Sequence, residues 1–210
     1  MRILLLVTVL ALGPAGLTTQ AAQKGAAPIA LARSSGKASA LHPPTAAQIN
    51  AARKQGKVKA RLETSKGPIQ LELDGAAAPI AVANFLNLVK AGFYRGLPFH
   101  RVEPGFVIQA GDPAQVNRPP VGYTIQDERS PIKHLRGTIA MARIYQGGQM
   151  IPNSASTQFY ITLADTPHLD QLGFTAFGKV IDGMAVVDKI AVGDKILKAA
   201  VVGKPSKPVK

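Results

Sequence analysis

A chain of 210 residues with a net charge of +13 and no cysteine has room for one well-buried domain with tails, and it excludes disulfides, thiol nucleophiles and Cys-ligated metals. Apolar residues at 46% fit a globular protein, while 5% aromatics and no Trp predict a core of mainly aliphatic side chains. The charge argues against a specific nucleic-acid site, because residues 1–61 hold nine Lys/Arg and no acid, residues 195–210 hold five Lys and no acid, and residues 62–194 hold eleven basic and twelve acidic side chains.

Residues 1–22 read as a secretory signal peptide: Arg2, an apolar run over 3–12, a Gly13-Pro14 break and small residues near Ala21 and Ala22. The apolar run is too short to span a bilayer, which takes about twenty residues, so stable membrane insertion is not expected. Export follows, with the periplasm as the expected destination and secretion as the alternative. Residues 23–56, rich in Ala, Ser, Gly, Pro and Lys, form a flexible basic linker that buries too little to offset its ordering entropy. Within it, T-A-A-Q-I-N-A-A-R-K from Thr45 reads as a short helix with Thr45 as N-cap, and Ile49, its one large apolar residue, promises slight tertiary support. The folded domain spans 57–203, and 204–210 is a basic tail.

In the body, residues 58–64 and 68–73 alternate apolar and polar around Ser65-Lys66-Gly67, which predicts a hairpin. Pro79 suits a helix first turn; Val82, Phe85, Leu86 and Val89 follow at helical spacing, and Gly92 is a fitting stop. Residues 113–131 are loop-rich, with one short extended piece near 123–125. Strands are predicted over 137–142, 158–163 and 175–181, a second short helix over 184–190, and a closing strand over 195–202. Many strands with two helices argue for an antiparallel sheet closed on itself.

Residues 99–112 read F-H-R-V-E-P-G-F-V-I-Q-A-G-D. Two runs of strand-forming residues flank the turn signal Pro104-Gly105, predicting a second hairpin. Alternation points Phe99 and Arg101 to one face, Phe106, Ile108 and Ala110 to one face of the next strand, and Val107 and Gln109 to the other. This stretch resembles the central signature of the cyclophilin family of peptidyl-prolyl cis-trans isomerases. Similar blocks flank it in the same order: T-S-K-G-P-I-Q-L-E-L at 64–73, A-P-I-A-V-A-N-F at 78–85, G-F-Y at 92–94, R-G-T-I-A-M-A-R at 136–143, N-S-A-S-T-Q-F-Y-I-T at 153–162 and F-G-K-V-I-D-G-M at 177–184.

The resemblance implies a mainly β fold, a closed eight-stranded antiparallel barrel with two capping helices, and acceleration of rotation about X-Pro bonds in folding proteins. It implies Pro-containing peptide segments as partners, no metal or cofactor, and a monomer. Arg101 becomes the catalytic residue. The substrate-binding residues it implies are Phe106, Val107, Tyr160, Leu169 and Phe174 around the proline ring, and Gln109 orienting Arg101. Gln158 reaches the substrate backbone, Ala142 and Arg143 line the peptide groove, and His100 and His168 flank the site. Three departures stand out. Tyr160 occupies a position where Phe is usual, so its hydroxyl needs water or a partner. His168 stands where many relatives carry Trp or Phe. The loop over 144–152 (I-Y-Q-G-G-Q-M-I-P) is longer than in most relatives, and no role is assigned to it.

Other readings are weaker. Ser130 and Lys133 fit S-x-x-K, but K-T-G and S-D-N are absent. His42, His100, His134 and His168 lack metal-ligand spacing and read as surface or supporting residues. The serious alternative is a catalytically weak module of the same fold that binds unfolded or Pro-containing segments as a chaperone.

Overall fold

Alternation dominates the computed structural model, which describes residues 41–203. The signal peptide, residues 23–40 of the linker and the basic tail lie outside the described residues. The first hairpin forms from β1 (Lys57–Thr64) and β2 (Gly67–Asp74), turning on Ser65-Lys66, with Val58, Ala60, Leu62, Ile69, Leu71 and Leu73 all buried on one face. Downstream come β3 (Phe99–Glu103), β4 (Val107–Ala110), β5 (Thr138–Met141), the two-residue strands β6 (Tyr145–Gln146) and β7 (Gln149–Met150), β8 (Phe159–Thr162), β9 (Ala176–Asp182) and β10 (Ile196–Val202). Four helices accompany them: α1 (Ala46–Gln55), α2 (Pro79–Lys90), α3 (Pro167–Gln171) and α4 (Met184–Val187).

Eight strands make one antiparallel sheet in the order β10-β1-β2-β9-β5-β8-β4-β3, and β6 pairs with β7 alone. The fold is mainly β, as expected, but the sheet is curled rather than closed. Its edge strands β3 and β10 share no ladder and meet at the single bridge Pro98–Lys195. Pro98 has no N–H to donate, so the seam is carried by neighbours: Gly96 N–H to Ile196 O (2.7 Å), Ile196 N–H to Leu97 O (2.9 Å) and Phe99 N–H to Asp194 O (2.8 Å). Among the described residues, α1, α2 and α4 answer to the three helices expected from the sequence, α3 is the unexpected one, and the helix predicted over 184–190 is cut to the single turn of α4.

Both faces of the central strands are covered, so β5 and β8 are buried at every position. Ile108, Ile139, Phe159, Ile161 and Phe177 face the interior with α2, while Val107, Ala140, Tyr160 and Ala176 face a second, smaller cluster on the opposite side. The interior is less aliphatic than composition predicts. Phe85, Tyr94, Phe99, Phe159 and Phe177 are all fully buried. Phe85 of α2 lies 5.2 Å from Tyr94, 5.6 Å from Phe159 and 5.4 Å from Phe177, centroid to centroid. The few aromatics are concentrated where each removes the most area from water.

α1 carries the expected Thr45 cap as a full capping box: Gln48 N–H donates to Thr45 Oγ1 (3.3 Å) and Thr45 N–H to Gln48 Oε1 (2.8 Å). Its tertiary support comes less from Ile49 than from buried Ala52 and from a reciprocal amide pair between Gln48 and Asn87 of α2 (3.0 and 3.1 Å). α2 has Pro79 in its first turn and no side-chain cap from Ala78. The cap arrives instead from the long loop: Glu128 accepts from Ile80 N–H (2.9 Å) and Ala81 N–H (2.8 Å) with its two oxygens. A carboxylate there satisfies two orphan donors and meets the positive end of the helix dipole. Glu128→Ala is therefore expected to lower the unfolding free energy by about 1–2 kcal/mol in urea titrations. An unchanged midpoint would show that the loop cap carries no weight.

Candidate active site

The polar rim is set by the hairpin of β3 and β4, whose turn uses Gly105 at φ 72°. Phe99 pairs with Ala110, yet Arg101 pairs with Gln109, so β3 holds one extra residue, His100, against β4. Such a bulge reverses the side-chain alternation beyond it. The sequence expectation that Phe99 and Arg101 share a face is thereby corrected: Phe99 is fully buried in the interior, and Arg101 is exposed on the opposite side beside Gln109. Phe106 is corrected likewise. It ends the turn before β4 begins and packs on the outer cluster, away from Ile108 and Ala110.

Arg101 is held from two sides. Its Nη1 donates to Gln109 Oε1 (3.0 Å), its Nε donates to Glu103 Oε1 (2.9 Å), and its Nη2 lies 2.7 Å from the same oxygen. Gln109 Nε2 donates onward to Gln158 Oε1 (2.8 Å), so three side chains from three strand segments form one chain. The guanidinium carbon sits 5.7 Å from the Phe106 ring centroid. His100 is half-buried, and its Nδ1 finds no partner among the described residues. The close of the motif is steric: Gly111 has φ 95°, and a Cβ there would fall 2.4 Å from Thr157 O. Glycine is required at that approach.

Below the rim lies a cavity of about 470 Å³. Ten of the twelve residues named from the sequence line it: Arg101, Phe106, Val107, Gln109, Ala142, Arg143, Tyr160, His168, Leu169 and Phe174. Tyr160 and Phe174 meet edge to face at 5.8 Å, and His168 stacks on Phe106 at 5.6 Å. Gln158 faces a neighbouring cavity of about 640 Å³ that shares the Ala142–Arg143 wall, and His100 lines neither. The Arg143 side chain folds inward at 7% exposure, 4.5 Å over the Phe174 ring, paired with Asp127 at 3.1 Å and donating to Leu172 O at 2.5 Å.

Sequence reasoning missed the support beneath the floor. The Tyr160 hydroxyl lies 2.9 Å from Nε2 of buried His134, whose Nδ1 lies 2.7 Å from Asp170 Oδ1. Asp170 also accepts the His134 backbone N–H (3.0 Å). The signal was a Tyr in a Phe position, which demands a partner, together with a His of unassigned role. Glu103, Asp127, Tyr145 and Met150 were also missed. The S-x-x-K pair makes no dyad: Ser130 Oγ accepts from Ile132 N–H (3.2 Å), while Lys133 lies 3.9 Å from Asp170.

Burial holds the His134 imidazole below its ordinary value, outweighing the hydrogen bond and charge of Asp170. Desolvation pushes Asp170 up, but the side-chain and backbone hydrogen bonds from His134, with the charge of Lys133, outweigh it and hold the carboxyl low. The pair is thus a neutral imidazole donating to a carboxylate and accepting from Tyr160. His100 is also depressed, by burial first. The unfolded chain accordingly binds more protons than the folded one just below the ordinary value of 6.5. Stability should be complete above that window and fall as the pH drops through it. Thermal melts between about pH 8 and pH 5 should show this loss, with His134→Gln giving a shallower slope. A flat wild-type profile would contradict it.

Comparison with known proteins adds a third line. Residues 59–210 match the family model described as cyclophilin type peptidyl-prolyl cis-trans isomerase/CLD. The chain is 40% identical over 157 residues to peptidyl-prolyl cis-trans isomerase A of Dickeya dadantii, covering 70% of this chain and 78% of the relative. It is 43% identical over 141 residues to a peptidyl-prolyl cis-trans isomerase of Helicobacter pylori, covering 65% and 82%. Among solved structures, a Cryptosporidium parvum cyclophilin type peptidyl-prolyl cis-trans isomerase, crystallised in the presence of the dipeptide Ala-Pro, superposes with a TM-score of 0.61 at 29% identity. The match covers 70% of this chain and 99% of that one.

Proposed function

The chain belongs to the cyclophilin-type peptidyl-prolyl cis-trans isomerases and is an enzyme of that activity, and from this premise we propose how its own residues perform the reaction and where. The carrying observation is one guanidinium fixed by Gln109 and Glu103 at the rim of an apolar slot of about 470 Å³. An X-Pro amide prefers trans only slightly, but its rotation barrier is about 18–20 kcal/mol because twisting destroys resonance. No bond breaks, so the protein needs only to bind the twisted amide more tightly than either planar form.

The proline ring enters the slot over Tyr160, against Phe106, Leu169 and Phe174. The twisted nitrogen regains a lone pair, and Arg101 donates to it. Of the five guanidinium donors, Gln109 and Glu103 engage three, leaving two for substrate. The Arg101–Glu103 pair is 43% and 49% exposed, so it is worth at most about 1 kcal/mol and yields easily to a substrate. Gln158, whose Oε1 is occupied by Gln109, keeps its amide hydrogens for a substrate carbonyl. The Ala142–Arg143 main chain aligns the peptide. Each tenfold of acceleration needs about 1.4 kcal/mol. One preorganised hydrogen bond made in the transition state supplies about 2.7–4 kcal/mol, and the apolar walls supply the rest by desolvating and holding the twisted peptide.

NMR exchange spectroscopy on a short X-Pro peptide tests these roles. Arg101→Ala should lose about a hundred- to a thousand-fold in turnover with little change in peptide affinity or melting temperature. Arg101→Lys should be impaired as well, since a point charge does not reproduce the planar fork. Phe106→Ala should weaken binding and turnover together. Near-normal exchange by folded Arg101→Ala would refute the mechanism.

The place of action is proposed to be outside the cytoplasm, on exported clients that are folding, with the periplasm as the compartment. This rests on the sequence of residues 1–22: Arg2, the apolar run and the small residues near Ala21. Mass spectrometry of protein from its native host should find the mature chain starting near residue 22 or 23. An intact Met1 in the cytoplasmic fraction would refute export.

A further inference from the structure

The long loop after Arg143 is built, and it reaches the slot. β6 and β7 pair Tyr145 with Met150 and Gln146 with Gln149 across a Gly147-Gly148 turn, whose φ values of 61° and 81° are the positive pair that a tight hairpin needs. Two residues per strand cannot hold a hairpin alone. Its base is therefore pinned. Ile151 N–H donates to Ile144 O (2.9 Å), Ile144 N–H to Ser154 Oγ (2.9 Å) and Ser154 Oγ to Ile151 O (2.6 Å). One residue before Ser154, Asn153 sits at φ 55°, accepts from Asp127 N–H (2.8 Å) and donates its own N–H to Asp127 Oδ2 (2.9 Å).

This anchored hairpin carries Tyr145 and Met150 to the cavity that holds Arg101, Phe106 and Tyr160, with Leu172 on the same lining. Met150 packs on the outer cluster, whereas Tyr145 is 64% and Leu172 51% exposed. The surface the hairpin and Leu172 add is a phenol ring, a thioether and an isobutyl group, and the neighbouring Arg143 is already ion-paired with Asp127, so it favours an apolar group over an acidic one. A peptide whose proline fills the slot must leave over this rim, and its neighbouring Cα lies about 3.8 Å away. A planar phenol and a pliable thioether are suited to an aliphatic or aromatic side chain.

We propose that Tyr145, Met150 and Leu172 form an apolar subsite continuous with the proline slot, which selects peptides carrying a large aliphatic or aromatic residue next to proline. The inference rests on the reading of the slot as the proline site.

The test compares kcat/KM for peptides that differ only in the residue before or after proline, with Leu or Phe against Ala. The readout is the ratio within each enzyme, so general losses cancel. The wild type should prefer Leu or Phe by about ten-fold or more at one flank. Tyr145→Ala/Met150→Ala should bring that ratio near one, and Leu172→Ala, which leaves the hairpin untouched, should lower it too. No preference at either flank, or one that both variants retain, overturns the subsite. A wild type that accelerates none of the peptides overturns the slot reading, and the subsite with it. Sedimentation of the same proteins covers the remaining occupant. A wild-type dimer dissolved by Tyr145→Ala, with the ratio unchanged, assigns the hairpin to a second copy and overturns the proposal.

Discussion

His100, the one unpaired residue of β3, decides which face of the sheet receives Arg101. Were His100 paired in its turn instead of bulged, strict alternation would carry the guanidinium to the side of Phe99, into an interior where Phe99, Ile108 and Phe159 are fully buried. An unpaired cation there would cost several kcal/mol. With the bulge, Phe99 still fills the core and Arg101 emerges opposite Gln109, two strands from Tyr160. One bulged residue thus lets the same short strand serve packing and chemistry. The seam at Pro98 belongs to the same constraint, because the residue just before β3 has no N–H and the strand bulges at His100, two residues after it. It cannot run a full ladder with β10, and the barrel stays open there.

The site divides its work between a polar rim and an apolar floor, and the magnitudes show why neither suffices. A lone exposed arginine has too many rotamers to place a donor on a transient lone pair. Gln109 removes that freedom, and Gln158 in turn fixes the Gln109 amide by occupying its N–H. The floor has the opposite problem. Tyr160 brings a hydroxyl into an apolar cluster, and an unpartnered one there costs about 1–3 kcal/mol. His134 and Asp170 remove the cost from behind, leaving the ring face to the slot.

Period-two patterning made most of the sheet legible. Residues 58–64 and 68–73 alternate apolar and polar, the strands over 138–141 and 159–162 show instead as short apolar runs buried on both faces, and the motif blocks marked ten of the residues that meet around the slot. Two kinds of feature were not legible. A bulge leaves no composition signal, so Arg101 and Phe106 were put on the wrong faces. Contacts made through a loop without pattern have no periodicity to read. Glu128 on α2 and the Asp127–Arg143 pair are of this kind. Ile49 misled for a simpler reason: side-chain size suggested how α1 would dock, while buried Ala52 meets Gly75, where a Cβ would run into the Ala52 carbonyl and only glycine lets the backbones approach.

Those loop contacts explain how a wall without regular structure is kept in place. Glu128 is bound to the first turn of α2, and its neighbour Asp127 to Arg143 and Asn153. Two adjacent carboxylates therefore tie the helix, the slot wall and the base of the β6–β7 hairpin to one short stretch of chain. The pairing is not an efficient source of stability, since Arg143 Nε and Asp127 Oδ1 are buried without partners among the described residues. Desolvation of such a pair offsets most of its attraction, whereas removing either member leaves a buried charge exposed to nothing. What the pair contributes is position. The Arg143 plane is held against Phe174 on one side and Asp127 on the other, which keeps the two cavities separate and keeps Tyr145 at the rim.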